Sequence, residues 1–214
     1  MDKITLVNTL PIVFQNKKII QSEIWNKNVE FQKNKTYLIE AESGTGKSSL
    51  LSFIFGYRND YIGEMIFDQN NIKLFSRKQW NQLRNYNIAL MWQELRLFPE
   101  LTAYENVKIK NSITHHQKID TLRKWFHILG IEDKMNTLVS KMSFGQQQRV
   151  ALIRTLCQPF DFILLDEPVS HLDDFNADIM AQIVAEEAKK QNATIIVTSI
   201  GKRMNLDYDS VLKL

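Results

Sequence analysis

The chain contains very little cysteine, glycine and proline: of its 214 residues, one is cysteine, seven are glycine and four are proline. The single cysteine, Cys157, cannot form a disulfide within the chain, which excludes a disulfide-stabilised fold and favours a reducing compartment. The cytoplasm is therefore the expected location. No stretch rich in glycine, serine or proline divides the chain, so we expect a single domain over residues 1–214 with one inserted subdomain.

Long hydrophobic runs and a strong net charge are also missing. The longest apolar runs, such as FILL at residues 162–165, are far too short to cross a bilayer. The N-terminal stretch lacks the compact apolar region and the cleavage site of a secretory signal. Any link to a membrane is therefore expected to come through a partner. With 27 Lys and Arg against 24 Asp and Glu, the formal charge is only +3, so no nucleic acid partner is expected.

Short apolar runs alternate with helical patterns in the second half of the chain, which predicts a parallel α/β sheet. The predicted strands are residues 4–7, 36–41, 64–67, 88–92, 162–166, 194–198 and 211–214. The predicted helices are residues 46–55, 117–129, 144–157 and 176–191. Residues 4–40 are rich in strand patterns and poor in helical ones. This composition predicts an antiparallel β flap that leads into the α/β core.

Residues 41–49 read AESGTGKSS and follow a predicted strand. A strand, a glycine-containing loop and a helix start in direct succession form the arrangement that binds phosphate. Gly44 and Gly46 let backbone N–H groups approach the phosphates, Lys47 reaches the terminal phosphates and Ser48 can ligate Mg²⁺. The other loop residues expected to contact the nucleotide are Ser43, Thr45 and Ser49. The alternative is an ordinary glycine turn that caps a helix.

Residues 160–168 read FDFILLDEP, a buried type of strand that ends in two acids. Placing two carboxylates at the end of such a strand is costly unless a metal or a substrate meets them. Asp166 is expected to hold Mg²⁺, directly or through water, and Glu167 to polarise the water that attacks the phosphate. A strand followed by a solvated acidic turn is the alternative, which the upstream phosphate loop disfavours.

A third motif, KMSFGQQQRV at residues 141–150, directly precedes a predicted helix. In the order AESGTGKSS, MWQ, MSFGQQQR, ILLDEP and SHLD, the chain resembles the ATP-binding subunits of ABC transporters over nearly its whole length. The resemblance implies a P-loop NTPase core with a parallel sheet, an N-terminal antiparallel β flap and a helical subdomain at about residues 94–142. The stretches GEMIFD and LTAYENV and the three glutamines look most like the subfamily of lipoprotein-releasing and macrolide-export systems.

The resemblance also implies an assembly. In that family Ser143 and Gly145 belong to the signature loop, which caps the γ-phosphate of a nucleotide held by the other subunit. This implies a head-to-tail dimer, expected to be a homodimer, with two ATP molecules at its interface. The free N–H groups of a helix that begins after Ser143 suit this task. An ordinary capping box between Ser143 and Gln146 is the simpler explanation, and the two are compatible.

Three further positions carry roles implied by the resemblance. Gln93 matches the glutamine loop, which touches Mg²⁺ and the attacking water and joins the core to the helical subdomain. Asp173, in SHLD, matches a residue that communicates across the dimer. Phe14 lies at a suitable distance upstream to stack on adenine, although Tyr37 and Trp25 are rivals and Phe14 is equally compatible with packed core. The candidates to line the docking groove of a membrane partner, or else to form subdomain core, are Trp92, Leu97, Phe98 and Leu101.

The chain departs from the family pattern at three positions. Ala41 replaces the leading glycine of the phosphate loop, which is compatible with the loop if its φ stays negative. Phe144 stands at a glycine position of the signature loop and is expected to alter dimer contacts. Ser199 stands where the family has its switch histidine. Losing one preorganised contact to the γ-phosphate costs about 10² to 10³ in rate, so hydrolysis is expected to be slow or partner-dependent.

The function expected from the resemblance is that of a cytoplasmic ATP-binding subunit at the inner face of the cell membrane. It would bind and hydrolyse ATP with Mg²⁺ at a dimer interface and so drive a separate integral membrane subunit. One alternative is a soluble ABC-type ATPase without a transport role, disfavoured because the chain has no long coiled-coil insertion and no second cassette. Another is an ATP-sensing dimerisation module with little turnover, favoured by Phe144 and Ser199. A P-loop kinase or GTPase would not account for MSFGQQQR.

Overall fold

The computed structural model describes residues 1–16 and 21–214, which form two β-sheets with helices packed against them. The strands are β1 (Lys3–Pro11), β2 (Asn28–Gln32), β3 (Thr36–Glu40), β4 (Tyr61–Phe67), β5 (Asn70–Asn71), β6 (Ile88–Met91), β7 (Phe162–Asp166), β8 (Thr194–Ser199) and β9 (Ser210–Lys213). The helices are α1 (Lys47–Ile54), α2 (Arg77–Tyr86), α3 (Ala103–Thr114), α4 (Ile119–Ile128), α5 (Phe144–Thr155) and α6 (Asp174–Gln191).

The larger sheet has five strands in the order β6-β7-β8-β3-β9, and every neighbouring pair is parallel. Every residue of β7 and of β8 is buried, as expected for strands of a parallel sheet covered on both faces. The predicted parallel α/β core is therefore confirmed. Because parallel strands end at the same edge, the sheet places the loop after β3, the acids at the end of β7 and Ser199 at the end of β8 along one edge.

The smaller sheet has the order β2-β1-β4-β5 and is antiparallel. It confirms the predicted antiparallel flap, but its strands differ from the expected set. Two of them, β4 and β5, come from after the phosphate loop, while β3 belongs to the parallel sheet. Residues 17–20 of the predicted flap lie outside the described residues. Where β1 crosses β4 the chains approach so closely that a Cβ on Gly63 would lie 2.3 Å from the Asn8 carbonyl oxygen, so only glycine fits.

Four elements, β2, β5, α2 and α3, are absent from the predicted strands and helices, and for β2 and α2 the physical reason is clear. Strand β2 buries only Phe31, so its sequence shows little of the apolar alternation that marks a strand. Helix α2 has no fully buried residue, and polar side chains outnumber its apolar ones, so the short apolar face of Trp80 and Leu83 is a weak signal. It begins instead with a capping box, in which Ser76 and Gln79 satisfy each other's backbone N–H groups. Its Trp80 packs edge-on against Phe67 and Phe75.

Helices α3 and α4 fall within the segment predicted as a helical subdomain, and they pack against α5. The turn before α3 is held by the buried Asn106 side chain, which accepts from Phe98 N at 2.8 Å and donates to Phe98 O and Thr102 O at 3.0 Å. The limits of this subdomain stay a prediction. Across the ranges that the structure covers, none of the helices combines the length and apolar character of a membrane span.

Candidate functional site

The loop between β3 and α1 has a backbone that its two glycines make accessible. Gly44 has φ +79° and Gly46 has φ +103°, a region that other residues rarely adopt. A Cβ on Gly46 would also lie 3.0 Å from Phe14 and 3.1 Å from Trp25. Gly46 is therefore required by close packing as well as by backbone conformation. The sequence pattern predicts neither of these reasons, only that glycine lets the backbone approach a phosphate.

Lys47 is the first residue of α1, and its side chain is 5% exposed. Its Nζ donates to the Glu42 carbonyl at 3.2 Å and lies 3.7 Å from Glu167 Oε1. The loop is closed on itself by Thr45, whose hydroxyl donates to the same carbonyl at 2.8 Å. The ammonium group is thus held between the phosphate loop and the acidic pair.

The acidic pair lies at the carboxyl end of β7. Asp166 is almost fully buried, and its Oδ1 accepts from the Thr198 hydroxyl at 2.7 Å. A carboxylate can accept about four hydrogen bonds, so acceptor positions remain for a metal or a water. Glu167 has φ +49°, which is strained for a residue other than glycine, and its N–H donates to Thr198 O at 3.2 Å. Such strain is common at functional sites, where it directs a side chain.

A pocket of about 440 Å³ joins the loop to Glu167, and its volume lies within the range of small-molecule sites. Its lining residues are Val13, Phe14, Ser43, Gly44, Gly46, Lys47, Ser48, Ser49, Gln93, Glu167 and Ile200. Hydroxyl, amide and carboxylate oxygens are the ligands that Mg²⁺ prefers, and Ser48, Gln93 and the Asp166–Glu167 pair supply them here. The donor set therefore fits this metal. Thr45 and Asp166 do not line the pocket themselves.

Phe14 lines this phosphate pocket but is only 8% exposed, since it packs under Gly46. Its rivals for an adenine contact are buried elsewhere: Trp25 donates through Nε1 to Thr45 O at 2.9 Å, and the Tyr37 hydroxyl accepts from Gln32 N. Neither rival lines the pocket. The exposed Val13 does, and the sequence analysis missed it because an aliphatic residue carries no chemical signal. Adenine stacking by Phe14 stays a prediction.

The signature motif lies at the start of α5. Ser143 caps this helix, accepting from Gln146 N at 3.3 Å, while Gln146 Oε1 accepts from Ser143 N at 3.0 Å. The capping box considered from the sequence is therefore present. The Phe144 ring is 42% exposed and meets the His171 ring edge-on, with 4.5 Å between centroids. None of these residues lines the phosphate pocket.

The segment 171–174 contacts both the signature motif and the turn that follows β8. A Cβ on Gly145 would lie 3.1 Å from Leu172, so the start of α5 packs tightly on this segment. Asp173 caps α6, and the hydrogen bonds from the Asn176 backbone and side chain hold the pKa of Asp173 below its usual value. Lys202 Nζ donates to Leu172 O at 2.6 Å and to Asp174 Oδ1 at 2.8 Å.

Ser199, at the end of β8, is 2% exposed and points into its own turn. Its hydroxyl donates to Lys202 O at 2.7 Å, and its carbonyl accepts from Ala41 N at 3.2 Å. The residue that lines the phosphate pocket here is Ile200, another aliphatic residue that the sequence analysis missed. Ala41 is not among the residues with positive φ, so the condition for accepting alanine at the leading position is met.

Comparisons with known proteins agree with this geometry. The family model described as ABC transporter matches residues 24–170. The aliphatic sulfonates import ATP-binding protein SsuB of Bacillus cereus is 32% identical over 80% of this chain, which spans only 64% of that relative's length. The lipoprotein-releasing system ATP-binding protein LolD of Buchnera aphidicola subsp. Schizaphis graminum is 29% identical over 80% of this chain and 76% of its own.

A solved structure has the same fold. The dimeric structure of MJ0796, a bacterial ABC transporter cassette, superposes with a TM-score of 0.77 and 25% identity over 91% of this chain and 87% of that chain. The same cassette in a post-hydrolysis state bound to ADP and Pi gives a TM-score of 0.74 and 26% identity over the same shares. Since the family model covers more than half of the residues and the fold is that of a solved cassette, the chain belongs to the ABC transporter family.

Proposed function

We propose that this chain is the ATP-binding subunit of an ABC transporter, which binds ATP with Mg²⁺ and hydrolyses it to drive a separate integral membrane subunit. The observation that carries the proposal is the position of Lys47, held between the phosphate loop and Glu167 in one pocket. A cation at a helix N-terminus beside a carboxylate suits both phosphate binding and water activation.

Each residue of the pocket has a definite task in this proposal. Lys47 and the N-terminal N–H groups of α1 bind the β- and γ-phosphates. Ser48, Gln93 and Asp166 would hold Mg²⁺, which neutralises phosphate charge when bound. Glu167 orients the attacking water and accepts its proton. The phosphate oxygens compete with Glu167 for the Lys47 ammonium, which leaves the carboxylate available to the water.

The signature residues have no task in this chain's own pocket, which supports a head-to-tail homodimer. Ser143, Gly145 and Gln146 lie at the N-terminus of α5, and Asp173 lies at that of α6. In the proposed dimer they complete the site of the second copy. The solved cassette with the same fold is described as dimeric. The chain would then act in the cytoplasm, at the inner face of the membrane that holds its partner.

Replacing Glu167 by glutamine tests the proposal. We expect the Glu167→Gln chain, in complex with its membrane subunit, to lose about 10²-fold or more of its ATP hydrolysis, because a general base contributes 10² to 10⁴. The ATP-bound dimer should accumulate, as measured by light scattering. The control is Glu186→Gln, which changes an exposed glutamate of α6 and should leave both measurements unchanged. Unaltered hydrolysis by Glu167→Gln would refute the assigned role.

One observation favours a second candidate, an ATP-sensing module with little turnover. The hydroxyl of Ser199 is bonded to Lys202 O and lies outside the phosphate pocket, so the family's switch contact is missing. This candidate predicts that the unaltered chain already forms a long-lived ATP-bound dimer. Glu167→Gln would then change neither dimer lifetime nor hydrolysis.

A further inference from the structure

The phosphate pocket of this chain is short of hydrogen-bond donors at two of its lining residues, Val13 and Ile200. These aliphatic side chains are 68% and 46% exposed and can donate nothing to a phosphate oxygen. Among the described residues that line the pocket, Lys47 is the single cation, and Glu167 lies 3.7 Å from its ammonium. Because phosphoryl transfer is catalysed mainly by donors and charges placed around the phosphate, a further donor from outside the chain would complete the pocket.

His171 lies outside this pocket and faces the start of α5. The residue is exposed and lines no part of the phosphate pocket. Its ring meets the Phe144 ring edge-on, with 4.5 Å between centroids and 66° between planes. Its carbonyl oxygen would lie 3.5 Å from a Cβ on Gly145. Both the ring and the backbone of His171 are therefore held against the signature motif.

Hydrogen bonds orient the imidazole of His171 and leave one nitrogen available. Nδ1 lies 2.9 Å from Ser170 Oγ, and that hydroxyl donates to the Glu167 carbonyl at 3.2 Å. A hydroxyl has one proton, so while Ser170 donates to Glu167, Nδ1–H must donate to Ser170 Oγ. Within the described part of the chain, Nε2 has no hydrogen-bond partner. An anion placed there favours a proton on Nε2, because it stabilises the charged ring. The imidazole can thus donate to an anion outside its own chain.

The start of α5 is where such an anion would lie. The N–H groups of Phe144 and Gly145 open this helix, so neither has an acceptor in a preceding turn of it, and the helix dipole favours negative charge there. In the proposed dimer this helix start meets the γ-phosphate bound by the other copy. Because His171 packs on Phe144, the dimer would bring its imidazole to the same phosphate.

We propose that His171 of each copy donates from Nε2 to the γ-phosphate of the ATP held by the other copy. It would supply across the dimer the contact that Ser199 does not supply within the chain. The proposal rests on the proposed function, since it adds a residue to the dimeric site. Phe144 then has a role as well, because its ring fixes the position of the imidazole. An exposed side chain held by one ring contact and one hydrogen bond is less preorganised than a buried donor, so the contact restores only part of the rate.

His171→Ala tests whether the imidazole contributes. In complex with the membrane subunit, we expect it to lower ATP hydrolysis at saturating ATP about 10-fold, because a donor to the γ-phosphate is lost. In the Glu167→Gln background, the same change should weaken the ATP-bound dimer about 10-fold, as measured by light scattering without hydrolysis. The melting temperature should stay the same, since the side chain is exposed. The control is His127→Ala, at an exposed histidine of α4, and it should change none of these measurements.

A mixed dimer shows which pocket the imidazole serves. Two differently tagged copies are produced together, and dimers that carry both tags are purified. One copy carries Glu167→Gln, so hydrolysis takes place only in the pocket of the other. Placing His171→Ala on the Glu167→Gln copy should lower hydrolysis about 10-fold more than placing it on the hydrolysing copy. An equal loss in both arrangements, or a larger loss when the hydrolysing copy carries the change, would overturn the inference.

Ser199→His provides an independent check through a double-mutant cycle. Once a histidine at position 199 supplies the contact within the chain, His171→Ala should cost less than about 3-fold in hydrolysis. A cost as large as in the unaltered chain would contradict a shared role. If Glu167→Gln abolishes hydrolysis but His171→Ala has no more effect than His127→Ala, the inference fails and the proposed function stands. If the unaltered complex hydrolyses no ATP, both fail.

Discussion

At position 199 the serine hydroxyl is already engaged, since it donates to Lys202 O inside a tight turn. A hydroxyl used in this way cannot bind a γ-phosphate, and the neighbouring Ile200 that lines the pocket offers no hydrogen bond. Slow hydrolysis therefore stays a prediction, and the engaged Ser199 hydroxyl supplies a structural reason for it. The remaining chemistry of the pocket rests on Lys47 and Glu167.

Restoring a histidine should accelerate the reaction. We expect Ser199→His to raise the rate of ATP hydrolysis at saturating ATP by about 10-fold or more, because an imidazole supplies the γ-phosphate contact that serine lacks. Steady-state hydrolysis by the complex with the membrane subunit is the measurement. Ser199→Ala removes the bond to Lys202 O without adding a donor, so it should leave the rate low. Equal rates for all three chains would contradict the proposed effect.

The residues of the site differ in how well their roles could be predicted from the sequence. The roles of Gly46 and Lys47 could be predicted because phosphate binding demands their residue types at a fixed spacing. The positions of Val13 and Ile200 in the pocket could not be predicted, because an aliphatic residue is compatible with many environments and only the fold brings these two to the pocket. Phe14 was chosen for its aromatic ring, but its packing against Gly46 depends on a contact across 32 positions of the chain.

At the scale of secondary-structure elements, the segment 171–174 contacts both the start of α5 and the turn after β8. Gly145 packs on it from the signature motif, and Lys202 ties it to the turn after β8 through two hydrogen bonds. The turn after β8 is thereby coupled to the start of α5. In the proposed dimer, Lys202 is a positioning residue, since it acts through Leu172 and Asp174 and lines no part of the phosphate pocket itself.

Removing the two Lys202 hydrogen bonds should make the segment 171–174 more mobile without changing the phosphate pocket. Lys202→Met should speed amide hydrogen exchange at residues 171–176 and weaken the ATP-dependent dimer about 10-fold, because hydrogen bonds from a charged group contribute about 1.5 to 3 kcal/mol. ATP affinity of the monomer should stay the same. Lys189→Met, at an exposed lysine near the end of α6, is the matched control. Unchanged exchange in Lys202→Met would show that the tie does not order the segment.

The strands of the parallel sheet were predictable from their apolar residues, whereas β2 and α2, which are mostly polar, were not. Strands β7 and β8 are buried throughout and mostly apolar because both faces of the parallel sheet are covered. Helix α2 has no buried residue, so its formation depends on capping and on side chains that pack across its surface. The few apolar residues of this helix, Trp80 and Leu83 among them, give only a short periodic pattern within a polar segment.

At the scale of the whole molecule, Glu187 joins α6 to the connection between α3 and α4. This buried carboxylate accepts from Gln117 Nε2 at 3.0 Å and from Gln191 Nε2 at 3.1 Å. Burial raises the pKa of Glu187, but the neighbouring His116, Gln117 and Lys190 side chains outweigh it and bring the pKa to about 2. The charged form therefore stabilises the folded molecule.

The stability that Glu187 contributes should depend on pH in a definite direction. Its pKa is about 2 when folded and 4.5 as the reference for the unfolded chain, so the contribution is present above pH 4.5 and is lost as pH falls toward 2. At 1.36 kcal/mol per unit, it amounts to about 3 kcal/mol. Glu187→Gln should lower the free energy of unfolding by this order at pH 7, with a smaller loss at pH 3. Urea titrations measure it, and a loss independent of pH would contradict the assignment.

The overall topology was predictable only in part. Alternation of strands and helices predicts a parallel sheet, and the structure confirms it. The order β6-β7-β8-β3-β9 requires pairings between distant segments, such as β3 with β8, that no local pattern reveals. The recruitment of β4 into the antiparallel sheet is hidden for the same reason, since its partner β1 lies on the other side of the phosphate loop in sequence.

Trp92 lines a cleft between the end of β6, the C-terminal end of α1 and helices α3 and α5, and its neighbour Gln93 lines the phosphate pocket. Consecutive Cα atoms are about 3.8 Å apart, so a displacement of Trp92 also displaces Gln93. Thermodynamic linkage then sets a reciprocal condition: if an occupant of the cleft changed the affinity for ATP by some factor, ATP would change the affinity for that occupant by the same factor.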